Sequence, residues 1–226
     1  MEQTPSTFGH SRTAWTCSVR RWWTPYEDGL FFFDLQLPPS TYPAEPPLVH
    51  YRSFGLRVNP NLYPSGTVCL SLLGTFGGED AAELWSPAKS TVLQVVVSIQ
   101  ALVLTAQPYY NEQGNKGMGE RNVLPYAENA YLLSLRTMLH LLRRPPARFD
   151  ELVRAHFRRR GQFVLRRCAA YLRQDGSCTL DADERPCSEG LKLGLAGVVP
   201  RLVEAFTNIG AEGCEEFDQF LKAIQN

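Results

Sequence analysis

The sequence has no surplus of charge, because its 23 lysines and arginines balance 23 aspartates and glutamates. A protein that binds nucleic acid through its overall electrostatic field needs a basic surplus. The chain also lacks a glycine-rich phosphate-binding motif of the Gly-x-Gly-x-x-Gly or Walker type. These two absences argue against a nucleic-acid partner and against a doubly wound nucleotide-binding fold.

Long apolar stretches are missing as well. The most apolar run, residues 92–106, is interrupted by Gln94 and Gln100, and it is shorter than the ~20 residues that cross a bilayer. Residues 1–18 contain no apolar segment of the kind that marks a secretory signal. We therefore expect a soluble, intracellular protein that is located in the cytoplasm, the nucleus or both, with no membrane partner.

Cysteine and histidine are few and lack the spacing of metal ligands. No two cysteines form a Cys-x-x-Cys pair, so the sequence predicts neither a zinc site nor a disulfide framework. Each cysteine is expected to be a free thiol in a reducing compartment, and Cys168 is expected to pack in a helical core. The histidines show no arrangement typical of a Cys-His protease, and we interpret them as structural or surface residues. The cysteines are Cys17, Cys69, Cys168, Cys178, Cys187 and Cys214, and the histidines are His10, His50, His140 and His156.

The first half of the chain carries strand patterns. Its 226 residues are enough for one domain with an extension, or for two small domains. After a turn at Glu27–Gly29, apolar residues alternate, which predicts a strand with one buried face. The alternating residues are Phe31, Phe33, Leu35 and Leu37. Prolines follow this strand, and a second strand is predicted near residues 48–54.

Helical periodicity dominates the second half of the chain. Proline is tolerated in the first turn of a helix, so Trp85–Pro87 is typical of a helix start. Helices are predicted from there to Val103, over residues 126–143, from Phe149 past Gly161, and over residues 195–224. Because the strands precede the helices instead of alternating with them, the order predicts an α+β fold.

Cys69 stands in a setting that suits nucleophilic catalysis. It follows a proline-stiffened, asparagine-rich loop that ends eight residues earlier at Asn61. A thiol that forms an acyl thioester needs a fixed donor for the oxyanion created on attack, and Asn61 is the obvious donor. The alternative is that Cys69 is a small buried residue in the Val68–Leu70 run, which is the usual position of a free cysteine. The local pattern by itself favours this alternative.

Several short stretches occur together along the chain in a fixed order. They are Thr24–Gly29, Phe31–Asp34, Tyr42–Pro47, Asn59–Asn61, Gly66–Leu70 and Trp85–Pro87. In this order and near this spacing, they resemble the catalytic domain of ubiquitin-conjugating enzymes over about residues 24–160. Within that family the chain most resembles the conjugating domain of the very large hybrid conjugating-enzyme/ligase proteins. Three further stretches carry the second resemblance: Ser71–Thr75, Pro108–Glu112 and Arg143–Pro146.

The resemblance implies an α+β ubiquitin-conjugating-enzyme fold, in which a four-stranded antiparallel sheet packs against helices. Residues 24–160 would form the catalytic domain and residues 161–226 a helical C-terminal extension. Residues 1–23 are an atypical N-terminal segment, because they do not resemble the family's first helix, which docks the activating enzyme. This departure leaves open a weak or inactive variant that binds ubiquitin or a partner. A helical scaffold with a core thiol is a more distant alternative.

The resemblance also implies a reaction. Cys69 would accept the C-terminal carboxyl of ubiquitin from the activating enzyme as a thioester, and a lysine amine of a substrate protein would then attack it. Asn61 would support the active-site loop and the oxyanion, while Glu112 is the candidate acidic residue that orients the lysine. Asn59 replaces the histidine that is usual in the family, as it does in the hybrid proteins. No metal or organic cofactor is expected, because the separate activating enzyme consumes the ATP.

Three positions correspond to the ligase-facing surface of the family. Ala44 replaces an aromatic residue that anchors RING-type ligases in many members, whereas Ser86 and Pro87 match the neighbouring loop. A RING-type ligase is therefore an expected partner, through a reduced contact. The arginines within residues 154–167 predict a basic helical face, for which a solvated surface is favoured over a contact with an acidic partner.

Overall fold

The computed structural model describes residues 12–18, 24–76, 83–173, 180, 186–214 and 216–217. Its sheet is antiparallel, in the order β1-β2-β3. The strands are β1 (Arg12–Ser18), β2 (Leu30–Gln36) and β3 (Leu48–Tyr51). The central strand pairs on both sides, so that Phe33 lies opposite Trp15 of β1 and opposite Tyr51 of β3. The α+β class is confirmed.

Four strands are not found in the part of the chain that the structure describes, where the sheet has three. Next to β3, the chain forms a single bridge between His50 and Thr67. Beside it, the Tyr51 N–H donates to the Gly66 carbonyl oxygen at 2.8 Å. Pro64 has no N–H to add to a ladder, and Gly66 turns the chain at a φ of 92°. A longer fourth strand does not form there because the loop turns back on itself.

The prediction that the strand after the Glu27–Gly29 turn, which is β2, buries only one face is wrong. Phe31 and Phe33 lie in one apolar cluster, together with Val95 and Ile99. Phe32 points the other way and lies in the core of the C-terminal helices, where its ring meets that of Phe149 edge-on. Because Leu30–Phe33 is apolar at every position, both faces of the central strand are covered, as the near-continuous apolar run permits.

The first helix begins later than the Trp85–Pro87 start that the sequence suggested. Helix α1 (Val92–Ser98) continues as a π-helical turn over Ile99–Val103. Its start is fixed by a capping box, in which the Thr91 side chain accepts from the Gln94 N–H and the Gln94 side chain accepts from the Thr91 N–H. The proline-containing segment before it forms a turn instead, closed by the Ser90 N–H donating to the Ser86 carbonyl oxygen at 2.7 Å.

Three longer helices follow and share one core. They are α2 (Val123–Arg143), α3 (Asp150–Leu172) and α4 (Glu189–Asn208). Position 160 lies inside α3, so the predicted extension starts within an unbroken helix. The next residue, Gly161, lets α4 approach closely, because a Cβ there would lie 2.9 Å from the Phe206 ring. Helix α4 begins earlier than the predicted 195, and the predicted helix is interrupted by a turn at Gly210, where φ is 77°. Residue 215 and residues 218–224 of the predicted helix lie outside the described residues.

The start of α4 is fixed to α2 by a buried carboxylate. Glu128 is 4% exposed and accepts hydrogen bonds from the Ser188 N–H at 2.7 Å and from the Ser188 hydroxyl at 2.5 Å. The same hydroxyl caps α4 by accepting from the Leu191 N–H at 3.1 Å. The C-terminal helices are therefore packed onto the fold by polar as well as apolar contacts.

The basic face of α3 is largely used inside the molecule. Arg160 and Arg167 pair with Asp28 and Glu27 of the turn before β2, at 2.6 and 2.8 Å. Within α3 itself, Arg154 pairs with Asp150 at 3.0 Å and Arg158 with Glu151 at 2.6 Å. The pairs with Asp28 and Glu27, which were not anticipated from the sequence, join α3 to the turn before β2.

The predicted core thiol is confirmed. Cys168 is fully buried, and burial raises the pKa of its thiol to about 12. Cys187 and Cys214 are also buried, whereas Cys178, the Cys17 side chain and His10 lie outside the described residues. His140 stacks on Phe54, and a ring nitrogen of His156 contacts the Asp28 carbonyl oxygen at 2.9 Å.

Among the described residues, no helix combines the length and apolar character that a membrane crossing requires. Nor do these residues contain a group of three or more His, Cys, Asp or Glu side chains arranged to hold a metal ion.

Candidate active site

The loop before Cys69 is organised around a fully buried amide. Asn59 has no exposed surface. Its Nδ2 donates to the Tyr26 hydroxyl at 2.9 Å and to the Val103 carbonyl oxygen at 2.8 Å, while its Oδ1 accepts from the Asn61 N–H at 2.9 Å. Asn111 donates to the same Oδ1 and to the same Val103 oxygen. The π-helical turn that ends at Val103 thus supplies an acceptor that holds two loops together.

Asn61 and Cys69 are paired through both backbone and side chain. The Cys69 N–H donates to the Asn61 carbonyl oxygen at 2.8 Å. In the opposite direction, Asn61 Nδ2 donates to the Cys69 carbonyl oxygen at 3.0 Å. Asn61 is only 8% exposed, so this amide is a fixed part of the loop.

Thr75 braces the residues on either side of Cys69. Its hydroxyl donates to the Val68 carbonyl oxygen at 2.6 Å and accepts from the Leu70 N–H at 3.1 Å. Backbone groups that are satisfied by fixed partners lose their freedom to rearrange. The chain around the thiol is therefore held at residues 68, 69 and 70 in succession.

The Cys69 thiol itself is half-buried and free. Burial raises the pKa of this thiol above its ordinary value, and the nearby Glu112 carboxylate acts in the same direction. A side-chain hydrogen bond with Tyr63 and the positive charge of Arg57 lower that pKa. Since the thiolate is the nucleophile, the balance among these neighbours sets how much of the reactive form is present.

Arg57 connects the groups around the sulfur. Its guanidinium lies over the Tyr63 ring, 4.4 Å from the centroid, and pairs with Glu112 Oε2 at 3.4 Å. It also donates to the Pro60 carbonyl oxygen at 3.0 Å. Glu112, predicted as the acidic residue near the thiol, is therefore paired with an arginine, and its carboxylate acts on the pKa of the Cys69 thiol.

A cleft of about 350 Å³ opens beside the thiol loop. Its lining includes Asn61, Leu70, Leu102, Tyr110 and Glu112. A half-exposed thiol on a fixed backbone, beside an amide and a carboxylate, is suited to acyl transfer through a covalent intermediate.

The predicted ligase-facing residues lie on two joined loops. The Trp85 indole N–H donates to the Pro43 carbonyl oxygen at 2.8 Å, which brings the loop of Ala44 against the loop of Ser86 and Pro87. Ala44 and Pro87 are exposed, and Ser86 is half-buried. The structure thus presents both parts of this predicted surface together.

Three residues of the site were not identified from the sequence: Arg57, Tyr63 and Thr75. Thr75 was noted only as part of a subgroup motif, and its hydroxyl contacts depend on the turn at Ser71–Leu73. Arg57 meets Glu112 across 55 positions of sequence, and no local pattern indicates such a pair.

Comparison with known proteins identifies the family. The family model described as ubiquitin-conjugating enzyme matches residues 2–122. The chain is 49% identical over 208 residues to the probable ubiquitin-conjugating enzyme E2 23 of Arabidopsis thaliana, and 45% identical over 206 residues to the putative ubiquitin-conjugating enzyme E2 38 of that plant. It is 38% identical over 158 residues to the human dual E2 ubiquitin-conjugating enzyme/E3 ubiquitin-protein ligase BIRC6. The predicted resemblance to hybrid proteins is confirmed, at lower identity than that to the plant proteins.

These alignments cover 86%, 85% and 66% of this chain, respectively. The chain spans 19% of the first relative, 63% of the second and 3% of the third. The family model covers more than half of the chain and includes Asn61, Cys69 and Glu112. This chain belongs to the ubiquitin-conjugating enzyme family, whose members are transferases that act through a cysteine thioester.

Proposed function

We propose that this chain carries ubiquitin as a thioester on Cys69 and transfers it to a lysine amine of a protein substrate. The observation that carries the proposal is the pairing of Cys69 with Asn61 in both directions. This pairing fixes a half-exposed thiol between Asn61 and Leu70, two residues that line a cleft, in a chain of the ubiquitin-conjugating family. A cysteine that served only for packing would need no such fixed exposure.

The first step is the acceptance of ubiquitin. The Cys69 thiolate attacks the carbonyl carbon of the thioester that joins ubiquitin to the activating enzyme. A new carbon–sulfur bond forms at Cys69, the bond to the activating enzyme breaks, and that enzyme leaves as a thiolate. ATP is consumed earlier, by the activating enzyme, so this chain needs no cofactor of its own. The fixed backbone at Asn61 keeps the sulfur in place for the exchange.

The second step is transfer to lysine. The neutral amine attacks the thioester carbon, a carbon–nitrogen bond forms, and the carbonyl oxygen becomes an oxyanion. Asn61 Nδ2 carries two N–H groups, of which one donates to the Cys69 carbonyl oxygen and the other donates to the oxyanion. Collapse of the intermediate expels the Cys69 thiolate, and the amine gives its proton to solvent. Glu112, beside the same cleft, orients the lysine.

The surface formed by Ala44, Ser86 and Pro87 faces a RING-type ligase in this proposal. Trp85 supports it by joining the two loops through Pro43. Alanine offers little apolar area at the position where many family members have an aromatic residue. Ligase binding through this surface therefore depends more on the Ser86–Pro87 loop.

A pulse–chase experiment tests the transfer step. The protein is charged with ubiquitin by the activating enzyme, the activating step is stopped by removing magnesium, and free lysine is added. The proposal predicts that the reductant-sensitive thioester disappears faster as lysine is raised, with a ubiquitin–lysine conjugate as the product. Loss of the thioester at one rate whatever the lysine concentration would contradict transfer and leave only slow hydrolysis.

A further inference from the structure

Arg57 makes three contacts that converge on the active-site loop. It lies over the ring of Tyr63, pairs with the Glu112 carboxylate and donates to the carbonyl oxygen of Pro60. Tyr63 in turn follows Asn61 by two positions, and its side chain lowers the pKa of the Cys69 thiol. One guanidinium therefore touches the loop, the aromatic neighbour of the sulfur and the acidic residue across from it.

We infer that Arg57 is a positioning residue for the proposed thioester chemistry: it holds Tyr63 and Glu112 beside Cys69 and offsets the negative charge of Glu112 at the sulfur. The inference rests on the proposed role of Cys69.

The electrostatic part of this role follows from the chemistry of a thiol. Attack on a thioester requires the thiolate, and a carboxylate beside it disfavours that negative form. Glu112 raises the pKa of the Cys69 thiol, and Arg57 lowers it. By pairing with Glu112 at 3.4 Å, Arg57 keeps the acidic residue near the lysine path without suppressing the nucleophile.

The other titratable groups near this cluster do not replace Arg57. Tyr126, from α2, responds to both Arg57 and Glu112, and burial raises its pKa to about 12, so it stays neutral. Lys116 and Glu83 line the same cleft as Glu112, and these two side chains are of opposite charge to each other. Tyr63 supplies a hydrogen bond but no charge. Among the groups that act on the Cys69 thiol, Arg57 is the cationic one.

The test uses the protein without ubiquitin. Cys69 is alkylated with iodoacetamide from pH 6.5 to 10, and mass spectrometry of the chymotryptic peptide that contains Cys69 gives the rate at each pH. The variants are Arg57→Gln, Arg57→Lys, Glu112→Gln and the double variant Arg57→Gln with Glu112→Gln. Arg52→Gln is the matched control, because Arg52 forms a similarly exposed ion pair with Asp34 on the sheet.

The two single variants Arg57→Gln and Glu112→Gln are expected to change the alkylation rate of Cys69 in opposite directions. Arg57→Gln lowers the rate at pH 7.5 by at least about threefold and moves the profile to higher pH, because an opposite charge near the thiolate is lost. Glu112→Gln raises the rate by a similar factor, and the double variant returns to within about twofold of the wild type. Arg57→Lys keeps the charge and stays close to the wild-type profile, as does Arg52→Gln.

If the role of Arg57 were purely structural, Arg57→Gln would lower the melting temperature and leave the pH profile of Cys69 alkylation unchanged. An Arg57→Gln profile that superimposes on the wild type overturns the inference, and so does an Arg57→Lys profile that matches Arg57→Gln. If Arg57→Gln fails to fold, Glu112→Gln decides alone, and a profile that stays in place or moves to higher pH overturns the inference. Because alkylation needs no ubiquitin, these outcomes are independent of whether the charging reaction succeeds.

Discussion

Asn61 and Cys69 are joined by two hydrogen bonds that run in opposite directions: the Cys69 N–H donates to the Asn61 carbonyl oxygen at 2.8 Å, and Asn61 Nδ2 donates to the Cys69 carbonyl oxygen at 3.0 Å. The side chain therefore supports the loop in the free protein. Its second N–H is the group that the proposed mechanism assigns to the oxyanion. Loop support and oxyanion stabilisation thus depend on one amide.

Removing the side-chain amide of Asn61 should leave the charging of Cys69 with ubiquitin intact and slow the transfer of ubiquitin to lysine. We expect Asn61→Ala to accept ubiquitin but to discharge it onto free lysine about 10²–10³-fold more slowly, which is the usual cost of removing an oxyanion donor. Single-turnover discharge, followed on non-reducing gels, measures the rate. Asn115→Ala is the matched control, because Asn115 Nδ2 also donates to a backbone carbonyl, that of Tyr109. Equal discharge rates for the wild type and Asn61→Ala would rule out the oxyanion role.

Asn59 should matter for stability more than any other amide of these loops. Asn59→Ala removes the buried side chain that connects Tyr26, Asn61 and Val103, and it leaves buried polar groups without partners. We expect the free energy of unfolding to fall by about 3 kcal/mol, measured by urea denaturation. Asn122→Ala, which removes a long 3.5 Å contact at an exposed position, should change it by less than about 0.5 kcal/mol. Similar losses for the two variants would contradict this account of the loop.

On α3, an arginine paired with a buried carboxylate should contribute more to the free energy of unfolding than an arginine in an exposed ion pair. Arg160→Ala leaves Asp28, which is 5% exposed, without its ion-pair partner, and we expect a loss of about 2–3 kcal/mol in the free energy of unfolding. Arg154→Ala removes an exposed pair with Asp150 within one helix, for which about 0.3–0.5 kcal/mol is usual. Urea denaturation of both variants checks the comparison. An Arg160→Ala variant as stable as Arg154→Ala would mean that the turn before β2 does not depend on α3.

Alkaline pH should destabilise the fold partly through Cys168. Its folded-state pKa is about 12, whereas an unfolded cysteine titrates near about 8.5. The stabilising contribution is complete below the unfolded value and is lost as the pH rises towards the folded value, because only the unfolded state ionises in that range. For this thiol the loss at pH 9.5 is about 1.4 kcal/mol.

Cys168→Ala isolates that contribution. Urea denaturation at pH 7.5 and 9.5 should show a smaller decrease in the Cys168→Ala variant than in the wild type, by about the same 1.4 kcal/mol. The comparison uses the change with pH in each protein, so a constant cost of the substitution cancels. Equal decreases in the two proteins would mean that Cys168 is not held as a neutral thiol.

The structure brings together residues that the sequence singled out as a site: Asn61 is hydrogen-bonded to Cys69, and Glu112 lines a cleft together with Asn61. Their roles stay predictions, whereas the sheet and the first helix differ from what the sequence predicted. The two-sided burial of β2 was missed because a run in which every residue is apolar shows no alternation between its faces. The start of α1 was missed because Pro87, which is typical of a helix start, lies in a turn before the capping box at Thr91.

Arg57 and Thr75 were beyond sequence reasoning for a different reason. The contact between Arg57 and Glu112 joins residues that only the folded chain brings together. The contacts of Thr75 depend on the tight turn that returns the chain to Val68 and Leu70. Such partners are set by tertiary geometry, and a single sequence contains no periodicity that reports them.

The most direct test of the central claim is a charging assay on Cys69. The protein and its Cys69→Ser variant are incubated with activating enzyme, ATP and ubiquitin and separated on non-reducing gels. The account predicts a wild-type band that reductant removes, and in the Cys69→Ser variant either a reductant-resistant ester or no band. A reductant-sensitive band on Cys69→Ser, or no wild-type band at any concentration of activating enzyme, would contradict the assignment of Cys69 as the ubiquitin carrier.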